Sequence, residues 1–207
     1  MRTGTENKIE IVLIRHSYTK MNEEHRYLGK KDESLSELGK ELAMSKQIYT
    51  DQGVFSGPMK RCVETANLIF NNKDIIEIPE WTEIDFGDFE GKNYNELKGN
   101  PDYKRWIDSG GTIAFPNGER REDFISRSKC GFDNVIEYMR TRTGFCEDGS
   151  CSVHKVYSVL HGGNIMAIMY SLLGGDYFDY QVKPLEGYKI VVDLSWGNKI
   201  VEYEEWK

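Results

Sequence analysis

Long apolar segments are missing from this 207-residue chain. No stretch approaches the roughly 20 consecutive apolar residues that span a bilayer, and the run at 11–14 is too short for the core of a signal peptide. Only four cysteines are present, too few for a disulfide scaffold at this size, and Cys62 is predicted to be a small core residue. We therefore expect a cytoplasmic protein that does not act on a membrane.

The chain has fewer basic than acidic residues: 27 lysines and arginines and 34 aspartates and glutamates, which give a net charge of -7. An acidic chain is a poor candidate for nucleic-acid binding, so we expect no nucleic-acid partner. Any phosphate that the protein binds must be held by a local cluster of cations, since the overall field would repel it weakly. The positions of individual arginines are therefore informative.

Strands alternate with helices along most of the chain, which predicts an α/β fold. We expect a three-layer sandwich in which a mainly parallel sheet is flanked by helices, built as a single domain over 1–207. The aromatic-, glycine- and acid-rich segment at about 79–120 is predicted to be a cap-like excursion over the sheet edge. The predicted strands are 9–14, 54–56, 75–78, 155–160, 188–194 and 199–203, and the predicted helices begin at Ser36 and Pro58 or cover 95–107, 121–142 and 165–173.

The ends of the helices carry recognisable signals. Ser36 is a good N-cap, and one face of the helix, which we expect to be the buried one, is marked at helical spacing by Leu38, Leu42, Ser45 and Ile48. In the last helix, Asn164 is predicted to be the N-cap and Gly174 to end it.

Two histidines follow predicted strands at the point where each strand ends. In an open α/β sheet, ligands bind outside the carboxyl ends of the strands. His16 and His161 would therefore face one crevice if their strands are neighbours. Arg15 precedes His16 directly, and Arg61 stands near the start of the helix after the second predicted strand, so both arginines begin at the same edge.

Two arginines and two histidines at one place would attract an anion, and phosphate matches the paired donors of a guanidinium. A neutral histidine also attacks phosphorus as a covalent nucleophile, and neighbouring cations help to keep it neutral. A carboxylic acid would protonate the leaving oxygen; Glu83 is the first candidate and Asp85 the alternative. The sequence has neither a P-loop nor an evident acidic metal cage, so we expect no metal and no cofactor.

Four sequence blocks carry these residues, and their order along the chain is typical of one family. Together they resemble the histidine phosphatase superfamily, the phosphoglycerate mutase-like proteins, whose fold matches the one expected above. The blocks are IVLIRHSYT at 11–19, SGPMKR at 56–61, EIDFG at 83–87 and LHGG at 160–163.

The resemblance implies a role for each residue of the cluster. His16 would be the phosphorylated nucleophile, Glu83 the proton donor, and Arg15, Arg61 and His161 the phosphate ligands. The same matching implies further residues that bind the substrate, namely Asn22, Arg26, Gly29 and Gly162.

The segment FPNGE at 115–119, followed by Asp123 and Arg127, is similar to the short phosphatase branch of this family, which includes α-ribazole phosphatases and broad-specificity phosphatases. The chain lacks the basic, proline-rich insertion of true mutases. We therefore expect a phosphomonoesterase that hydrolyses a small phosphorylated metabolite through a phosphohistidine. Ser17 and Arg120 depart from the family pattern, where glycine and serine are usual.

Two alternatives stay open at this point: a phosphoglycerate mutase-type phosphotransferase, and a non-catalytic module that binds a phospho-ligand or a protein. The oligomeric state, monomer or homodimer, is also open. Cys146, Cys151 and His154 have a spacing that suits zinc, but a fourth ligand is missing, so a metal site is not expected there.

Overall fold

The computed structural model describes residues 8–71, 74–142, 154–194 and 199–207. The strands are β1 Lys8–Arg15, β2 Val54–Ser56, β3 Ile75–Glu77, β4 His154–Leu160, β5 Gly187–Asp193 and β6 Lys199–Trp206. The helices are α1 Lys20–Glu23, α2 Glu37–Ser45, α3 Lys60–Ile69, α4 Tyr94–Leu97, α5 Pro101–Asp108, α6 Arg121–Arg142 and α7 Gly162–Leu173. The predicted polar loop at 144–152 and the predicted turn at Gly197 and Asn198 lie outside the described residues.

The strands form one six-stranded sheet in the order β3-β2-β4-β1-β5-β6. The pairs β3-β2, β2-β4 and β4-β1 are parallel, whereas β1-β5 and β5-β6 are antiparallel. This arrangement confirms the mainly parallel sheet and the C-terminal antiparallel pair. It also places β1 beside β4, which the argument about the two histidines requires.

Both faces of the sheet are covered, as a run of apolar residues in a central strand predicts. Along β1, Ile9, Ile11 and Leu13 pack into a core shared with α6 and α7. Val12 and Ile14 face the other way, into a core shared with α2 and α3. Cys62 on α3 is buried in this second core, as predicted. The result is the expected sandwich of a sheet between two helical layers.

The excursion at 79–120 has an apolar cluster of its own, which reaches the start of α6 and the middle of α7. Phe89 and Tyr103 are buried in that cluster. Trp81 instead joins the main core, where its indole N–H donates to the carbonyl of Ser128. Tyr94 is exposed. The aromatic residues of this segment therefore divide between core and surface.

Two predicted helices have different bounds in the structure. The predicted helix at 95–107 is two helices, α4 and α5, because Pro101 cannot continue a helix. The side chain of Asn100 accepts backbone N–H bonds at the start of α5 and acts as its N-cap. The helix predicted to start at Pro58 begins at Lys60.

The predicted buried face of α2 is wrong. Leu38 and Leu42 are 46% and 36% exposed, whereas Gly39 and Ala43 are buried. The reason is a close approach: a Cβ on Gly39 would lie 2.0 Å from the carbonyl oxygen of Tyr18. A glycine at this position lets α2 pack directly on the loop that follows β1, and this contact sets the orientation of the helix.

The predicted N-cap of the last helix is also wrong, although Gly174 ends the helix with a φ of 73° as expected. The helix begins at Gly162, with the extended residue His161 at the N-cap position. Asn164 lies inside the helix, where its buried amide donates to the carbonyl of Thr82 and to the hydroxyl of Ser128. Across the described residues, no helix combines the length and the apolar character that crossing a bilayer requires.

Candidate active site

The two predicted histidines lie side by side. Arg15 pairs with Leu160 in the parallel register of β1 and β4, so His16 and His161 leave the sheet at the same edge. Their ring centroids are 5.1 Å apart and the rings meet at 72°. Both side chains are buried. The topology therefore brings together two residues that are 145 positions apart in the sequence.

The hydrogen bonding of His16 fixes which ring nitrogen is free. Nδ1 lies 2.7 Å from the backbone carbonyl of Ser17, and since a carbonyl only accepts, Nδ1 carries the hydrogen. Nε2 then keeps its lone pair. Burial and the guanidinium groups of Arg61 and Arg15 hold the pKa of His16 well below its usual value, so the imidazole is neutral at pH 7. A neutral ring with a free Nε2 is the form that attacks phosphorus.

The backbone around His16 is fixed by the residue that departs from the family pattern. The Ser17 hydroxyl donates to the carbonyl of Gly39 at 2.7 Å, and the Ser17 N–H donates to the hydroxyl of Thr65 at 3.0 Å. Ser17 thus ties the loop to α2 and α3. Its hydroxyl is used in the scaffold and does not compete with His16.

Arg61 reaches the site from the first turn of α3 and is fully buried. Its Nε donates to Nδ1 of His161 at 3.2 Å, which leaves the hydrogen of that ring on Nε2. Its two terminal nitrogens donate at 2.9 Å to the carbonyls of Lys31 and Gly29. Gly29 therefore orients Arg61 through its backbone. Burial, followed by the charge of Arg61, also holds the pKa of His161 well below its usual value.

Arg15 brings a second guanidinium to this edge of the sheet. Its Nη1 donates to the carbonyl of Val182 at 2.8 Å, while its buried Nε has no hydrogen-bond partner among the described residues. A Cβ on Gly162 would lie 3.3 Å from this Nε, so the glycine allows close contact. Because an unpaired buried donor is costly, the site is built to receive an acceptor, and the adjacent Arg61 makes an anion the best one.

Glu83 lies at the mouth of this cluster. Its Oε1 accepts the N–H of Ile84 at 2.9 Å, and a Cβ on Gly163 would stand only 2.3 Å from the same oxygen. Loss of hydration raises the pKa of Glu83, although nearby backbone N–H groups and the two guanidinium groups act in the opposite direction. A raised pKa suits a carboxyl group that must hold a proton near neutral pH.

Asp85, the alternative acid, has the opposite electrostatics. Partial burial raises its pKa, but the ammonium of Lys30 at 2.6 Å and the N–H of Gly87 outweigh this effect, so the pKa is lowered. Asp85 is therefore ionised and engaged in an ion pair. Of the two acids, Glu83 has the raised pKa and Asp85 the lowered one.

Arg127 on α6 holds the segment that carries Glu83. Its Nη1 donates to the carbonyls of Glu80 and Thr82 at 2.8 and 2.7 Å, and its Nη2 donates to the carbonyl of Glu83 at 3.0 Å. The same guanidinium makes a bidentate pair with Glu119 at 2.7 and 2.9 Å. Bonds from one planar guanidinium to three carbonyls within residues 80–83 fix the backbone from which the Glu83 side chain extends.

This geometry predicts that Arg127→Lys lowers kcat/KM for a poor leaving group such as ethyl phosphate by about tenfold or more, because a lysine cannot make the fork of bonds that positions the acid. For p-nitrophenyl phosphate, whose leaving group needs no proton, we expect a much smaller decrease. Steady-state kinetics with both substrates measures the difference. Arg140→Lys, on the outer part of the same helix, is the matched control and should leave both values unchanged. An equal loss on both substrates would contradict a positioning role.

Two residues expected to bind substrate lie in a neighbouring polar cleft of about 470 Å³ that also borders Arg15. Asn22 completes the capping box of α1, where its side-chain oxygen accepts the N–H of Thr19. Arg26 forms ion pairs with Glu24 and Glu96 at 2.7 and 2.6 Å. Both are therefore near the cluster, but the charge of Arg26 is already compensated.

Sequence reasoning missed the residues that support the cluster. Gly163 was passed over in favour of Gly162, yet its missing side chain makes room for the acid. Arg127 and Glu119 were noticed only as family markers. The sequence gives no signal of what they contact, because the bonds of Arg127 join α6 to a segment more than 40 residues earlier. The expectation about Cys146 and Cys151 concerns residues outside the described part of the chain; among those described, no His, Cys, Asp and Glu cluster suits a metal.

The sequence profile described as the histidine phosphatase superfamily (branch 1) matches residues 11–197, which is most of the chain. This chain belongs to the histidine phosphatase superfamily. The match begins in β1, ends after β5 and before β6, and includes every residue of the cluster.

Individual relatives are distant. Over 162 residues the chain is 26% identical to phosphoserine phosphatase 1 of Hydrogenobacter thermophilus, covering 74% of this chain and 77% of that protein. It is 27% identical over 172 residues to the uncharacterised phosphatase PhoE of Bacillus subtilis, covering 80% and 78%. The structure of a putative α-ribazole-5'-P phosphatase from Escherichia coli superposes with a TM-score of 0.75 at 20% identity, covering 93% and 95%, and shows the shared fold.

Proposed function

We propose that this histidine phosphatase hydrolyses a small phosphomonoester through a phosphohistidine on His16. The observation that carries the proposal is the state of that imidazole: it is neutral, Nε2 is free, and it lies 5.1 Å from the ring of His161 within a nest of two guanidinium groups. A site that only binds phosphate has no need of an uncharged imidazole nitrogen among its cations.

In the first step, Nε2 of His16 attacks phosphorus and the P–O bond to the leaving group breaks. Glu83 transfers its proton to the departing oxygen, so that an alcohol leaves. Arg15, Arg61 and the Nε2–H of His161 stabilise the charge on the transferred phosphoryl group. The carbonyl of Ser17 accepts the Nδ1–H of His16 and stabilises the positive charge that develops on the ring.

In the second step, the ionised Glu83 takes a proton from a water molecule, which attacks the phosphohistidine. The P–N bond breaks, phosphate leaves, and both His16 and the protonated Glu83 are restored. The raised pKa of Glu83 suits both roles, since the group must give and take a proton near neutral pH.

Phosphate release distinguishes this function from the two alternatives. The purified protein is incubated with p-nitrophenyl phosphate and, separately, with 3-phosphoglycerate plus 2,3-bisphosphoglycerate. We expect catalytic release of phosphate from the first and slower interconversion of phosphoglycerates in the second. Interconversion faster than phosphate release would establish a mutase, and a folded protein without turnover of either would establish a binding module.

A further inference from the structure

A second cavity, of about 270 Å³, opens beside the acid. Glu83 and Gly163, which contact each other, are among its lining residues, so the cavity borders the carboxyl group that would protonate the leaving oxygen. Six of its thirteen lining residues are aromatic. They are Tyr27, Phe86, Trp106, Phe115, Tyr177 and Phe178.

These rings are held in place by one another. Trp106 stacks on Phe115 with centroids 5.0 Å apart and an interplanar angle of 28°. Tyr27 packs against Phe86 at 5.0 Å, and its hydroxyl lies 3.1 Å from that of Tyr103. Walls that are already packed lose little conformational entropy when a ligand enters, so the cavity is preorganised for a flat apolar group.

Glu83 also borders a different cavity, of about 430 Å³, and the charges there decide which one takes the leaving group. That cavity is lined by Lys30 with Asp85 and by Arg127 with Glu119, two ion pairs that already satisfy each other. A leaving group placed there would have to compete with both pairs. The aromatic cavity offers apolar surface without that competition.

The aromatic cavity has little provision for an ammonium group. Of its lining residues, all of them described, only Glu83 and Arg121 carry ionisable acid or base groups apart from the tyrosines. The guanidinium of Arg121 lies over the ring of Tyr177 at 5.3 Å. An ammonium group on the substrate would meet this cation, and the one lining residue of opposite charge would be the proton-donating Glu83, so pairing with it would interfere with catalysis.

We propose that the leaving group of the natural substrate is a small alcohol or phenol that carries one aromatic ring, bound in this cavity. The inference rests on the proposed function, because it takes Glu83 as the proton donor. Cavities for drug-sized ligands measure about 300–1,000 Å³, so a cavity of about 270 Å³ fits one ring system. Phosphorylated amino acids are poor substrates on this account.

The test compares kcat/KM for benzyl phosphate, cyclohexylmethyl phosphate, O-phosphoserine and ethyl phosphate. The first two are both esters of primary alcohols and differ mainly in the ring. We expect benzyl phosphate to exceed cyclohexylmethyl phosphate by about two- to tenfold, the value of ring–ring contacts. The kcat/KM for benzyl phosphate should be about 100-fold higher than that for O-phosphoserine, because O-phosphoserine lacks the ring and adds an unpaired ammonium group.

Two variants assign the preference to the cavity. Phe178 is 45% exposed, so Phe178→Ala removes a wall without opening the core; Trp106→Leu removes the stacked ring. Each should reduce the preference for benzyl phosphate severalfold, mainly through KM, and leave ethyl phosphate unchanged. Tyr49→Ala, at a fully solvated aromatic position, is the control and should alter neither value.

The outcomes separate this inference from the proposed function. Hydrolysis of all four esters with equal kcat/KM, or a benzyl preference that survives both variants, overturns the aromatic subsite and leaves the phosphatase intact. Absence of hydrolysis for these esters and for p-nitrophenyl phosphate overturns the proposed function and this inference with it. A preference that both variants erase supports the assignment.

Discussion

Replacement of His16 by alanine should lower kcat/KM for every phosphomonoester by at least about 10³-fold, because the covalent route disappears and water must attack the ester directly. The loss should be large for good and poor leaving groups alike, since both are displaced in the same step by attack of Nε2 on phosphorus. Phosphate release with p-nitrophenyl phosphate and ethyl phosphate measures it. His16→Gln, which keeps a polar side chain in the buried site, should be equally inactive.

The matched control for this result is His154→Ala. His154 begins β4, at the opposite end of the strand from His161, so its removal should leave the kinetics unchanged. Thermal unfolding followed by circular dichroism shows whether each variant is folded. A folded His16→Ala protein with wild-type activity would rule out His16 as the nucleophile.

Replacement of Glu83 by glutamine should give a loss that depends on the leaving group. For ethyl phosphate, kcat/KM should fall by about 10²- to 10⁴-fold, the usual contribution of a general acid. For p-nitrophenyl phosphate the decrease should be much smaller, because nitrophenolate leaves without a proton. The assignment is checked by measuring the loss in kcat/KM caused by Glu83→Gln for a series of esters. This loss should increase with the basicity of the leaving group.

The pH dependence follows from the same carboxyl group. Free enzyme must hold Glu83 protonated, and desolvation raises its pKa above the usual 4.5. Activity on alkyl phosphates should therefore fall as pH rises through this elevated pKa, and Glu83→Gln should remove that decline. Asp85→Asn is the control, since the lowered pKa of Asp85 keeps it ionised at the pH of the assay. A decline that persists in Glu83→Gln but vanishes in Asp85→Asn would assign the proton to Asp85.

The fold was predictable from the sequence where patterns are local. The continuous apolar run of β1, the alternation of strands with helices and the cap of Ser36 all have local causes, and the structure confirms them. The buried face of α2 was not predictable in this way. Its orientation depends on the contact of Gly39 with the backbone of Tyr18, a tertiary effect that overrides the spacing of leucines.

The cluster itself was predictable because strand ends meet at one edge of a parallel sheet. That rule gave each residue its place at the edge of the sheet, and the pairing of β1 with β4, on which the prediction was conditional, brings His16 beside His161. What supports the cluster was not predictable, since Arg127 acts through backbone carbonyls whose location depends on the path of the excursion. The division of the aromatic residues between core and cavity depends on the same path.

The central claim is that the phosphoryl group passes through Nε2 of His16. Rapid quenching in alkali during turnover, followed by peptide mapping and ³¹P NMR, locates any covalent phosphate. The account predicts one phosphoryl group per chain, on the peptide that contains His16, stable to alkali, labile to acid and absent from His16→Ala. Turnover at the normal rate without such an adduct, or with the phosphate on another side chain such as Cys62, would contradict it.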